Sequence, residues 1–228
     1  MRCGAGTVGN VGRTLALAAL VTGLMTGCAA KEAAPDAASK ASGASATATA
    51  KVARRGGSIG ASGSACELPV TFDIAEFWKA EAVDSEEATA ATGDLADLAD
   101  AFLRQGPVTM ACEVDAKPAG KIGFLRVWTG EPGDTDARAV LEDFVAAERG
   151  ASDARYSTVK AGAITGAEVE YVTTSELLEE TKKEHALAVT TPEGPVVLHL
   201  GGMDTSEHEA MLPAYELAKS TLRTTAAG

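Results

Sequence analysis

Residues Lys183 to Leu200 read KEHALAVTTPEGPVVLHL. Two β-leaning runs, Lys183 to Thr190 and Pro195 to Leu200, flank the turn-forming residues Thr191-Pro192-Glu193-Gly194. A hairpin closed across 191–194 pairs residues whose numbers sum to 385. Leu187 then faces Leu198 and Val189 faces Val196, which is the apolar match. The same register sets His185 opposite Leu200 and His199 opposite Ala186. Neighbouring residues of a strand point to opposite faces, so the two imidazoles are separated by the sheet and form no zinc site together.

Working outward, the segments before this hairpin are also β-leaning: Arg155 to Lys160 and Ala167 to Thr174. Val108 to Asp115 alternates, with Val108, Met110, Cys112 and Val114 expected on one side. Lys121 to Thr129 carries Leu125 and Val127 on one face and Ile122, Phe124 and Trp128 on the other. A strand apolar on both faces is covered on both faces. Arg126 shares the aromatic side, where a guanidinium can stack on a ring, pair with a carboxylate or sit at the sheet rim. Arg126 and Trp128 are therefore the candidate contacts for a ligand or partner. Short strands are also expected over Leu68 to Asp73 and Trp78 to Val83.

Three helices are expected. Asp94 caps the first, with Leu95, Leu98 and Phe102 on one face and Asp94, Asp97 and Asp100 on the other. Those carboxylates are strung along a helix rather than folded round a turn, which is a solvated face and not a calcium loop. Asp134 opens the second, which carries Val140, Leu141, Phe144 and Val145 and closes at Gly150. Ser206 with Glu209 has the form of a capping box for the third. Pro213 should restart or kink that helix. The fold class expected is α+β: an antiparallel β-sheet flanked by helices.

Upstream, Thr14 to Cys28 reads TLALAALVTGLMTGC, preceded by Arg2 and Arg13. The uncharged run has the length of a signal-peptide core and is too short to span a bilayer. Met25-Thr26-Gly27-Cys28 resembles a bacterial lipobox, which implies acylation of Cys28 and attachment through its lipid to the extracytoplasmic face of the cell membrane. Residues 29–63 are rich in Ala, Ser, Gly and Thr and hold no aromatic residue, so they bury too little apolar surface to offset ordering. The expected organisation is a signal peptide over 1–27, a disordered tether over 28–63 and one globular domain over 64–228.

Charge separates these parts. Residues 64–228 hold 30 acidic against 13 basic residues, within a chain whose net charge is −12. An acidic domain argues against nucleic acid, whose phosphates need clustered Lys and Arg. Of the four cysteines, Cys3 leaves with the signal peptide and Cys28 takes lipid. Cys66 and Cys112 remain in a compartment where disulfides persist, and pairing is expected; the alternative is two separate thiols.

Two motifs are decoys. Gly56-Gly57-Ser58-Ile59-Gly60 matches G-x-S-x-G but lacks the strand-to-helix turn of a nucleophile elbow. Gly4, Gly6 and Gly9 match G-x-G-x-x-G but follow no strand. No catalytic set, cofactor or metal site is singled out.

The order of elements, with Phe77-Trp78-Lys79 early and Ala218-Lys219-Ser220-Thr221-Leu222-Arg223 late, resembles the PsbP-like fold of LpqN-type actinobacterial lipoproteins. The resemblance covers roughly residues 66–223 and implies fold and location, with no catalytic residues to carry over. The function expected is a non-catalytic binding or accessory module of the envelope, with an unknown protein or small-molecule partner. The alternatives are a hydrolase with an unrecognised site and a structural or regulatory subunit of a membrane complex.

Overall fold

The hairpin at Pro192-Glu193 forms the centre of the main sheet. The computed structural model describes residues 51–84, 102–177 and 179–225, all within the compact unit Thr47–Gly228. The strands are β1 (Arg55–Ile59), β2 (Val70–Ala75), β3 (Lys79–Ala82), β4 (Arg104–Gln105), β5 (Val108–Asp115), β6 (Gly123–Thr129), β7 (Ala151–Ala161), β8 (Ile164–Ser175), β9 (Glu180–Thr191), β10 (Gly194–Gly202) and β11 (Arg223–Thr224). Among the described residues, the α-helices of two turns or more are α1 (Ala137–Ala146) and α2 (Thr205–Thr221).

The main sheet runs β3-β5-β6-β10-β9-β8-β7, with β4 against β5, and every pairing is antiparallel. Leu187 pairs with Leu198 and Val189 with Val196, so the apolar match sets the register. The turn is tight: Thr191 already pairs with Gly194, whose φ of 121° suits glycine. A Cβ at Gly194 would run into the Gly130 carbonyl oxygen.

Both sheet faces are covered, as the two-sided apolar character of β6 requires. On one face Leu125, Val127, Leu187, Leu198 and Leu200 pack with Met211, Tyr215 and Ala218 of α2 and with Val70 and Phe72 of β2. On the other, Trp128, Val169, Tyr171 and Val197 pack under Val140, Leu141, Phe144 and Val145 of α1. The architecture is an antiparallel sheet flanked by helices.

The structure corrects several expectations. The alternation of β5 does not keep one side: Thr109 pairs with Thr129 and Met110 with Trp128, but Cys112 pairs with Val127, because Ala111 is an extra residue. This bulge flips the parity. Val108 and Met110 face α1, while Cys112 and Val114 face α2.

The strand β1 falls inside the stretch 28–63 assigned to the tether, so the folded domain starts before residue 64. Its backbone hydrogen bonds to β2 order a segment with little apolar content of its own. The helix caps are Asp136, accepting from Arg138 and Ala139 N–H, and Asp204, accepting from Glu207 N–H, in place of Asp134 and Ser206. The last helix continues through Pro213 without a restart. β10 runs on through Gly201-Gly202. The signal peptide, Cys28, the tether as far as residue 50 and the start of the helix expected from Asp94 lie outside the described residues.

Cys66 and Cys112 are joined by a disulfide, with Cα atoms 6.0 Å apart. The first strand after Cys66 does not lie beside β5. It pairs with β1 and β11 in a separate three-stranded sheet. Cys66 therefore reaches Cys112 across the face of the main sheet.

Candidate functional site

Past the end of α1, the ends of β8 and β10 and the start of β9 leave a cleft of about 740 Å³. Its lining includes Glu148, Thr173, Leu177, Lys182 and Met203. Leu177 and Met203 are large apolar side chains left in solvent. Thr173 and Lys182 face each other across β8 and β9. The Thr173 hydroxyl is buried and has no hydrogen-bond partner among the described residues.

Behind the cleft lies a buried polar network. Lys182 Nζ donates to the Gly202 carbonyl at 3.0 Å and stands 2.7 Å from Glu184 Oε1. Tyr171 donates its hydroxyl proton to Glu148 Oε2 at 2.6 Å, so toward His199 Nε2, 3.1 Å away, it can only accept. His199 thus carries a proton on Nε2, which also stands 3.3 Å from Glu184 Oε2. Gln105 Nε2 donates to Glu148 as well. Phe144 meets the His199 ring edge-on and Tyr171 stacks on it.

Burial opposes the charge on Glu184, but His199 and Lys182 outweigh it and hold the carboxyl below its ordinary range. Burial, then the Glu148 carboxylate, pushes the Tyr171 phenol well above its ordinary value. Gly201 makes room for the pair: a Cβ there would stand 3.2 Å from Glu184 Oε2. His199 and Tyr171 are 5% and 1% exposed, so the cleft meets the network through Glu148 and Lys182. The network ties β8, β9 and β10 to the end of α1 and fixes the polar floor of the cleft.

Tyr171→Phe is expected to cost about 1–3 kcal/mol, since it strands the His199 N–H and removes a donor from Glu148. Urea unfolding checks this; an unchanged midpoint would show that the network bears no load.

The register separates the two strand histidines as expected. His185, on the other face, meets His208 of α2, with Nδ1 and Nε2 2.8 Å apart. Arg126 Nε donates to Glu113 Oε2 at 2.9 Å, and its guanidinium lies 4.9 Å above the Phe124 ring. Trp128, expected as a ligand or partner contact, is 4% exposed and edge-on to Phe144; α1 covers it, which makes it a core residue. Ser58 of the decoy motif lies within β1 and donates to Asp73 Oδ1 across the strand pair. Among the described residues no group of three His, Cys, Asp or Glu is placed to hold a metal ion, and no helix is long and apolar enough to cross a membrane.

Sequence reasoning missed the Glu184–His199–Tyr171–Glu148 set. Its one local signal is Glu184 itself, which shares strand parity with Ala186 and Ala188 on a covered face.

A family described as an uncharacterised lipoprotein has a model that matches residues 36–222. The chain belongs to this lipoprotein family. The match takes in every described strand but β11, together with α1 and α2, and so includes every residue of the cleft and its network. No curated protein and no solved structure matches it.

Proposed function

We propose that this lipoprotein is a non-catalytic binding module, held through lipid on Cys28 at the extracytoplasmic face of the cell membrane, with a PsbP-like (LpqN-type) domain. The cleft beside Thr173 carries the reading. It joins apolar walls at Leu177 and Met203 to a buried hydroxyl that has no partner among the described residues. That combination suits a small ligand with an apolar body and one polar end. The histidine and tyrosine behind it are sealed, which favours binding over catalysis. The membrane anchor is supported by the Met25 to Cys28 motif and, at the level of the family description, by the lipoprotein family match.

Native mass spectrometry of the full-length protein, extracted from its host membrane in mild detergent, tests the binding. Wild type should retain a small molecule that Leu177→Asp/Met203→Asp lacks, because charged walls repel an apolar body. The same added mass on both proteins, or none on either, would overturn the ligand site. Metabolic labelling with a clickable fatty acid tests the anchor: Cys28→Ala should lose the label completely, and equal labelling of variant and wild type would overturn lipidation.

A further inference from the structure

The described chain begins at Lys51 and runs beside α2. Ala53 N–H donates to the Pro213 carbonyl, and the Arg54 carbonyl accepts from Glu76 N–H, both at 2.8 Å. At this point of entry lies a second, shallower cleft of about 240 Å³, lined by Ala53, Arg54, Phe77, Trp78 and Lys121 among others.

Phe77 stands out there. It is 69% exposed and has a φ of 68°, the left-handed conformation that glycine adopts most readily. A bulky side chain is thus held in solvent on a strained backbone, a combination that concentrates at functional surfaces. Val52, half exposed, adds apolar surface at the chain's entry.

The charge of this face runs against the rest of the domain. Residues 64–228 hold 30 acidic and 13 basic side chains, yet Arg54 and Lys121 line the cleft with Phe77 and Trp78. Glu76, which pairs with Arg54 at 3.4 Å, is the acidic residue that lines the same cleft. An exposed Phe77 ring beside a half-buried Trp78, set with Arg and Lys, has the composition of a membrane interface. The position fits as well. From Cys28 to Lys51 the chain takes 23 residue steps, a reach of at most about 80 Å, and Ala53, two residues on, lines this cleft.

We infer that the face around Phe77 docks on anionic lipid headgroups, with the Phe77 ring entering the interface. The inference rests on the anchoring reading given above, because the lipid on Cys28 supplies the local concentration. Held this way, the domain presents a fixed side to the bilayer.

The test uses the full-length lipidated protein carrying Phe77→Trp, in vesicles of phosphatidylcholine alone or mixed with phosphatidylglycerol. Brominated acyl chains quench a tryptophan that enters the interface. In the mixed vesicles the emission contributed by residue 77 should fall about twofold, and Arg54→Glu/Lys121→Glu should abolish the fall. Native Trp78 lines the same cleft, so quenching in the unsubstituted protein reads the contact without a change at 77. Phe77→Gly, which relieves the left-handed backbone, should melt no lower than wild type while losing the contact.

Protein that floats with the vesicles but is unquenched, or equally quenched with and without phosphatidylglycerol, overturns the docking and leaves the anchor standing. Protein that does not float with the vesicles removes the anchor and the docking together. A co-purifying protein that covers the face and leaves residue 77 unquenched in every vesicle would assign the surface to that partner and overturn the lipid contact.

Discussion

Loss of the Cys66–Cys112 bond is expected to remove about 4 kcal/mol of stability. The bond closes a loop of sequence separation 46, and the chain-entropy relation then gives about 4 kcal/mol. Both cysteines are buried, at 1% and 0% exposure. The bond holds the segment before β2, and with it the three-stranded sheet, against β5. For a domain of ordinary marginal stability the loss is a large fraction of the total. Urea unfolding of the wild type against Cys66→Ala/Cys112→Ala measures it, and reduced wild type should match the variant. Coincident curves for oxidised and reduced protein would remove the bond from the stability of the fold.

Acid should unfold the domain through the His185–His208 pair. His208 is buried against His185, and burial first, then the neighbouring imidazole, lowers its pKa from 6.5 to about 4. Burial also lowers His185, although Glu170 and Glu168 of β8 act the other way; Glu216 and Lys219 of α2 face it too, with opposite signs. Glu184, His199 and Glu209 complete the charged and titratable groups around His208.

A histidine with a depressed folded pKa binds fewer protons folded than unfolded in the window between the two values. Its contribution is therefore complete above about pH 6.5 and is lost as the pH falls toward about 4. The drop corresponds to about 2–3 kcal/mol, taking some solvent screening into account. The wild type should lose that much more stability than His208→Gln between neutral pH and the acid end of the window. Comparing the two separates the histidine from carboxylates such as Glu184, which also lose their charge in acid. Parallel pH profiles would show that the pair is not the sensor.

Much of the fold was legible in the sequence because it rests on local periodicity. The hairpin register followed from matching Leu187 and Val189 to Leu198 and Val196 around one turn, and it separated His185 from His199 correctly. Apolar spacing placed Val140, Leu141, Phe144 and Val145 on the buried face of α1. The exchange of faces within β5 was not legible, because a bulge is one extra residue whose place is set by the partner strand. Nor was β1, whose residues carry no apolar pattern and are ordered by pairing with β2.

By itself, the sequence determined what depends on neighbours in the chain: a lipobox-like stretch ending at Cys28, an acidic domain, a set of alternating strands and a hairpin of defined register. Only the tertiary structure decided what depends on residues far apart in the chain. It joined Tyr171 to Glu148 and to His199, 23 and 28 residues away, covered Trp128 with α1, and brought Lys121 to the face where Phe77 stands exposed. The physical reason is the range of the forces involved. Alternation and turn chemistry act over a few residues and leave a trace in any short window. A buried hydrogen bond or a cleft needs two segments brought together by the collapse of the whole core, and neither segment records its partner.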